Sequence, residues 1–205
     1  MTWWLDILFP PRADDVALRD VSSDTFLALL APHLVPITEP GTVALFPFPD
    51  TAVRAAIHEA KYHGSAQAFN FLAAGLAEYL READDITYRK STTHLVPVPL
   101  GKKRYRERGF NQIEEIVKLA VKGFDITIDT TLLERTRETA SQVSLPRHKR
   151  EENMRSAFRA TRRADTSHTY IVIDDVITTG ATLQAAIDAL KEAGATHIVP
   201  LALAH

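Results

Sequence analysis

The chain of 205 residues contains no cysteine. That excludes a disulfide framework, a thiolate zinc site and a cysteine nucleophile. A large excess of either charge is also missing: the formal net charge is −2, which rules out a globally basic nucleic-acid binder but leaves room for a local basic patch. Aromatic residues are only 8% of the chain, too few for an extended base-stacking surface. No run approaches the roughly 18 apolar residues expected of a membrane span. The apolar lead Trp3, Trp4, Leu5, Ile7, Leu8 and Phe9 is stopped by Pro10 and Pro11. It has no basic leading region and carries Asp6, so it does not read as a signal peptide. A cytoplasmic protein without membrane insertion is the expectation. The lead itself suits packing in its own core, or an anchor for a partner or a second copy of the chain.

What is present is the composition of a soluble globular domain, with 45% hydrophobic and 24% charged residues. The length suits one domain with a small appended piece. Pro32 to Pro49 holds five prolines and Gly41, and should form extended strands and turns. Asp50 can cap a helix carrying Val53, Ile57 and Ala60 that closes before Gly64. A second helix follows, with Phe69, Leu72, Ala73, Leu76 and Leu80 at helical spacing. His94 to Leu100 reads as a buried strand, and Ile113, Ile116, Val117 and Ala120 as an amphipathic helix ended by Gly123. Residues 134–168, polar and weakly periodic, are the candidate for a mobile loop. Tyr170 to Ile173 is a strand, Leu183, Ile187 and Leu190 mark a helix stopped by Gly194, and His197 to Leu203 is a closing strand. Strands alternating with helices predict an α/β fold with a mainly parallel central sheet flanked by helices.

The most informative stretch is residues 171–183, Ile-Val-Ile-Asp-Asp-Val-Ile-Thr-Thr-Gly-Ala-Thr-Leu. An apolar strand ends in two adjacent carboxylates, then a small hydroxyl-rich turn, then a helix. Thr178, Thr179, Gly180, Ala181 and Thr182 offer backbone N–H groups and three hydroxyls at a helix N-terminus, where a phosphate is favourably held. Asp174 and Asp175 repel a phosphate, but suit sugar hydroxyls or a metal ion. A ribose 5-phosphate carrying a second anionic group fits all of these. Adjacent carboxylates at the end of a buried strand are costly unless they are used.

A second constellation is Leu100, Gly101, Lys102, Lys103, Arg104, Tyr105, Arg106, Glu107 and Arg108, a basic loop between a strand and a helix. Its five cations suit a pyrophosphate or a nucleic-acid backbone. A third is Arg135-Thr-Arg-Glu-Thr-Ala-Ser-Gln142, which by itself reads as a polar surface segment.

The 171–183 stretch resembles the phosphoribosyl-pyrophosphate (PRPP) motif of type I phosphoribosyltransferases. With Lys61-Tyr-His-Gly64, Arg106-Glu-Arg-Gly-Phe-Asn-Gln112 and the Arg-Thr-x-x-Thr-x-x-Gln segment at 135–142, the chain resembles the ComF family. These are phosphoribosyltransferase-like proteins associated with competence for DNA uptake. The resemblance implies that Asp174 and Asp175 hold the ribose hydroxyls and that residues 178–182 cradle the 5-phosphate. It also implies that Leu100 to Arg104 meet pyrophosphate, with Mg²⁺ bridging PRPP oxygens beside the two aspartates. Arg135, Arg137 and Gln142 would belong to a flexible loop closing over the site. Many members carry an N-terminal four-cysteine zinc module; this chain has none, so no zinc is expected. Residues 1–50 are assigned to a hood-like docking region and 51–205 to the phosphoribosyltransferase-like domain. The expected function is phosphoribosyl transfer with release of pyrophosphate. The alternative is a non-catalytic adaptor, or a single-stranded-DNA binder, using Lys102, Lys103, Arg104, Arg106 and Arg108 with Tyr105 and Phe110 stacking on bases. Competence proteins and a second copy of the chain are the other expected partners.

Overall fold

The computed structural model describes residues 13–83, 92–136 and 157–205. Within them the strands are β1 (His33–Val35), β2 (Thr42–Phe46), β3 (Thr93–Pro97), β4 (Ile126–Ile128), β5 (Leu133–Arg135), β6 (Phe158–Ala160), β7 (Thr169–Val176) and β8 (His197–Ala204). The helices are α1 (Ala13–Arg19), α2 (Ser23–Leu27), α3 (Thr51–His63), α4 (Ala66–Ala83), α5 (Lys102–Arg108), α6 (Gln112–Ala120) and α7 (Ala181–Glu192). Six strands form one sheet in the order β1-β2-β8-β7-β3-β4. Every pairing in it is parallel except that of β1 with β2. The mainly parallel α/β fold read from the sequence is the one observed.

Alternation along the strands divides the interior in two. Leu95, Ile171, Ile173, Leu201 and Leu203 face a core completed by α1 to α4 and α6. Val96, Tyr170, Val172 and Ala202 face a second core under α7 and the antiparallel β5–β6 pair. The same alternation sends Asp175 to the α3/α6 face and Asp174 to the opposite one, so the two carboxylates diverge across the sheet.

The helices begin and end where their caps dictate. The Asp50 carboxylate accepts hydrogen bonds from the N–H groups of Ala52 and Val53 at 2.8 and 3.2 Å, and α3 ends at Gly64. In α4, Gly75 lies against the Phe46 ring. A Cβ there would sit 2.2 Å from Phe46 Cζ, so this glycine lets the helix approach the sheet closely. Among the described residues, no helix is long and apolar enough to cross a membrane.

Four features differ from the sequence expectation. Of residues 134–168, read as a mobile loop, the described ends are ordered: Arg135 belongs to β5, which pairs antiparallel with β6 at Phe158. The basic stretch read as a loop is helix α5: Lys, Arg and Glu are good helix formers, Gly101 and Gly109 bound the segment, and Lys103 reaches Glu107 one turn on at 3.9 Å. The strand bearing the acidic pair continues through it to Val176, because β8 offers pairing partners as far as Ala204. Residues 33–46, placed by sequence in an N-terminal region, supply β1 and β2 to the main sheet. The apolar lead, with Trp3, Trp4 and Phe9, lies outside the described residues, as do Arg137 and Gln142.

Candidate functional site

After β3 the chain continues through α5 and α6 to β4 on one side; after β7 it passes through α7 to β8 on the other. In open parallel sheets a crevice opens outside the carboxyl ends of two strands whose continuations part in this way. Here it is a cleft of about 190 Å³. Its walls bring together Leu100, Arg104, Arg108, Arg135, Asp174, Asp175 and Thr182, seven of the residues named from sequence. The structure adds Lys61 and Gln112, which the sequence reading placed in motif blocks without giving them a role.

Asp175 is buried at 8% exposure and fully engaged. Its Oδ2 accepts a hydrogen bond from Gln112 Nε2 at 2.7 Å and lies 3.1 Å from Lys61 Nζ. Its Oδ1 accepts from the Val176 N–H at 2.7 Å. Arg108 extends the chain of contacts, donating from Nη1 to Gln112 Oε1 at 3.0 Å while its guanidinium lies 5.0 Å from the Tyr62 ring centre. Asn111 caps α6 through the Ile113 N–H and donates to the Val98 carbonyl at 3.1 Å. It thereby ties the start of α6 to the end of β3.

Asp174 is held differently. Its Oδ1 accepts the Asp175 N–H at 2.9 Å. Burial first, and the charge of Asp175 second, push its carboxyl up to about 7, against the opposing pull of that N–H, Lys61 and Arg135. Near neutral pH Asp174 is therefore partly protonated, and a cation beside it would favour its ionised form.

Beyond Val176 the chain turns through exposed Thr178 and Thr179 to the buried Gly180. Gly180 adopts φ +73°, and a Cβ there would meet the Ile37 carbonyl oxygen and Thr38 Cγ2 at 3.0 Å. Both the backbone conformation and the close approach require glycine. Helix α7 begins at Ala181 with no side-chain cap on its first N–H groups, the arrangement that favours an anion. Residues 37–40 brace this turn: the Glu39 N–H donates to Gln184 Oε1 at 2.7 Å and Lys191 Nζ to the Glu39 carbonyl at 2.8 Å.

Of the basic stretch, Arg104 and Arg108 reach the cleft, whereas Lys102, Lys103 and Arg106 are exposed on α5. Gly101 is the buried residue at which α5 starts. Tyr105 is exposed, and Phe110, half-buried, packs edge-on against Phe69 with ring centres 5.8 Å apart. Arg135 lines the cleft from β5, its guanidinium 5.2 Å from the Phe158 ring centre.

Comparison with known proteins agrees with this architecture. A family model described as a phosphoribosyl transferase domain matches residues 115–204. The chain is 29% identical over 142 residues to DNA utilization protein YhgH of Escherichia coli K12, covering 69% of this chain and 62% of that protein. It is 30% identical over 145 residues to competence protein ComFC of Streptococcus pneumoniae, covering 70% and 59%. The chain thus spans less than two thirds of the length of these curated relatives. A solved hypoxanthine phosphoribosyltransferase from Staphylococcus aureus aligns with 65% of the chain at 11% identity and a TM-score of 0.38, a likeness too weak to carry an argument.

Proposed function

The chain belongs to the ComF family of phosphoribosyltransferase-like proteins, and from that premise we propose that its cleft binds PRPP with Mg²⁺ and transfers the phosphoribosyl group with loss of pyrophosphate, in a role connected with DNA uptake. The observation that carries the reading is the junction after β7. Two carboxylates diverge across the sheet and are followed, within a few residues, by a glycine at φ +73° and an uncapped helix N-terminus.

In this reading Asp174 and Asp175 accept hydrogen bonds from the two ribose hydroxyls, and the start of α7 with Thr182 holds the 5-phosphate. Arg104, Arg108 and Arg135 face the pyrophosphate. Lys61 is the counter-ion of Asp175, 3.1 Å away. The reaction breaks the bond between the anomeric carbon and the pyrophosphate oxygen and forms one to the acceptor, through an oxocarbenium-like transition state. Such chemistry asks the protein to position, to exclude water and to stabilise departing charge; it needs no protein nucleophile. The donors at hand fit a hard cation: two carboxylates, Asp174 and Asp175, line the same cleft. Mg²⁺ bound there would neutralise pyrophosphate charge. Pyrophosphate release from PRPP in the presence of a panel of bases and amines tests the transfer. Release dependent on one acceptor and lost in Asp174→Asn is expected; binding of PRPP without release from any acceptor would contradict catalysis.

A second reading, single-stranded-DNA binding, is favoured by one observation. Tyr62 and Tyr105 are exposed beside the cations of α5, and Arg108 lies over the Tyr62 ring. On this reading affinity for an oligonucleotide should fall steeply with salt, and charge reversal at Lys103 and Arg104 should abolish it. Salt-insensitive binding would contradict it.

A further inference from the structure

A separate set of ligating side chains stands near the end of α3. One donor atom from each of His58, Glu59 and His63 lies within 4.8 Å of the other two. Helical spacing explains much of this, since Glu59 and His63 are one turn apart, with Glu59 Oε1 and His63 Nε2 separated by 4.0 Å. His58 approaches His63 ring to edge, with centroids 5.9 Å apart. Helix α1 adds a second carboxylate, Asp14 Oδ2, 2.7 Å from His58 Nδ1. Glu59 is buried at 1% exposure, while both imidazoles reach the surface.

We propose that His58, Glu59 and His63 form a site for a first-row divalent transition ion of the zinc class, with Asp14 orienting His58. Two imidazoles and a carboxylate are the donors that a borderline-soft ion takes; a hard ion such as Mg²⁺ takes oxygen donors. Two carboxylates also balance a double positive charge. Around a tetrahedral ion with bonds of about 2.0–2.2 Å, ligand atoms lie roughly 3.3–3.5 Å apart. The donors here therefore close by about an ångström on binding, a movement the two surface imidazoles can make by rotation. A carboxylate on one ring nitrogen fixes the tautomer and leaves the other nitrogen as a donor, the usual support of a metal-bound histidine. Three protein donors leave the fourth position to water. The missing cysteines exclude a thiolate module and leave this donor set untouched.

The consequence is mechanical. A bound ion would tie α1 to the last turns of α3, the helix that carries Lys61 to Asp175. The site does not depend on PRPP binding and is tested without it.

The test uses untagged, chelator-stripped protein titrated with ZnCl₂ by calorimetry, with melting curves recorded in Zn²⁺ and in Mg²⁺. One equivalent of Zn²⁺ should bind, and the melting temperature should rise with Zn²⁺ and not with Mg²⁺. His58→Ala and His63→Ala should each weaken binding at least about tenfold, and Asp14→Asn by about tenfold. These positions are at the surface and the His58–Asp14 pair is partly exposed, so the metal-free melting temperatures of the variants should lie within a few degrees of that of the wild type. Co²⁺ substitution should give a visible absorption band that disappears in His63→Ala. Absence of saturable binding at one equivalent overturns the proposal. So does undiminished binding in the His58→Ala/His63→Ala double variant, which would put the ion elsewhere.

Discussion

Replacing Asp174 with Asn should make the ligand-free protein more stable, and more so at alkaline pH. Burial, and then the charge of Asp175, raise the Asp174 carboxyl from 3.8 to about 7. The folded chain therefore holds a proton that the unfolded chain releases, so stability falls as pH rises between those two values and stays low above the upper one. At 1.36 kcal/mol per pKa unit, a rise of about three units costs at most ~4 kcal/mol at pH 8 and ~1.6 kcal/mol at pH 5. Relaxation and water entry reduce both figures, leaving on the order of 2 kcal/mol at pH 8. Asn keeps the shape and the acceptor for the Asp175 N–H and cannot ionise. For a chain of this length each kcal/mol moves the melting temperature by about 2–4 °C, so the variant should melt on the order of 4–8 °C higher at pH 8 and half that or less at pH 5. Calorimetric melts at the two pH values measure both. A melting temperature unchanged or lowered at pH 8, or a gain equal at both pH values, would refute the reasoning. A stabilised variant that has lost PRPP affinity would mark the acidic pair as a strained site kept for function.

Gly75→Ala should destabilise by roughly 1–3 kcal/mol, since its Cβ would lie 2.2 Å from Phe46 Cζ, and Phe46→Leu in the same chain should recover part of the loss in a denaturant titration. Gly180→Ala should cost about 1–2 kcal/mol, because Ala resists φ +73° and meets the Ile37 carbonyl at 3.0 Å; PRPP affinity, read by calorimetry, should fall with it. His94 is kept neutral by burial first and by His168 second, with Asp129, Arg162 and Asp165 as the other charges around it. Its folded pKa lies below the unfolded 6.5, so stability should be intact above that pH and decline as pH falls below it. His94→Phe, which retains a ring against Tyr170, should flatten that decline in melts between pH 7 and pH 5.

Much of the fold was legible because its signals are local. Asp50 and Gly64 bracket α3, apolar runs mark β3, β7 and β8, and the adjacent carboxylates before a Thr-Thr-Gly turn do line the cleft. What was not legible depends on distant chain segments meeting. Lys61 and Gln112 converge on Asp175 only because α3 and α6 pack on the face lined by Ile171 and Ile173. The pairing of β2 with β8 joins residues 43–46 to 201–204, a register no periodicity encodes. The basic stretch misled for another reason. Its charge argued for a loop around an anion, whereas helical propensity and the Lys103–Glu107 pair make it a helix that turns only Arg104 and Arg108 to the cleft. Phe110, read as a stacking residue from its place among the arginines, also meets Phe69 edge-on, a contact between distant segments that the sequence does not show.

Calorimetric titration of Mg²⁺·PRPP into the protein, beside Asp175→Asn, is the most direct test of the proposed site. Micromolar one-to-one binding in the wild type, lost in a variant whose melting curve shows it folded, is the expected result. No binding to either protein, or equal binding to both, would contradict a PRPP site at the end of β7.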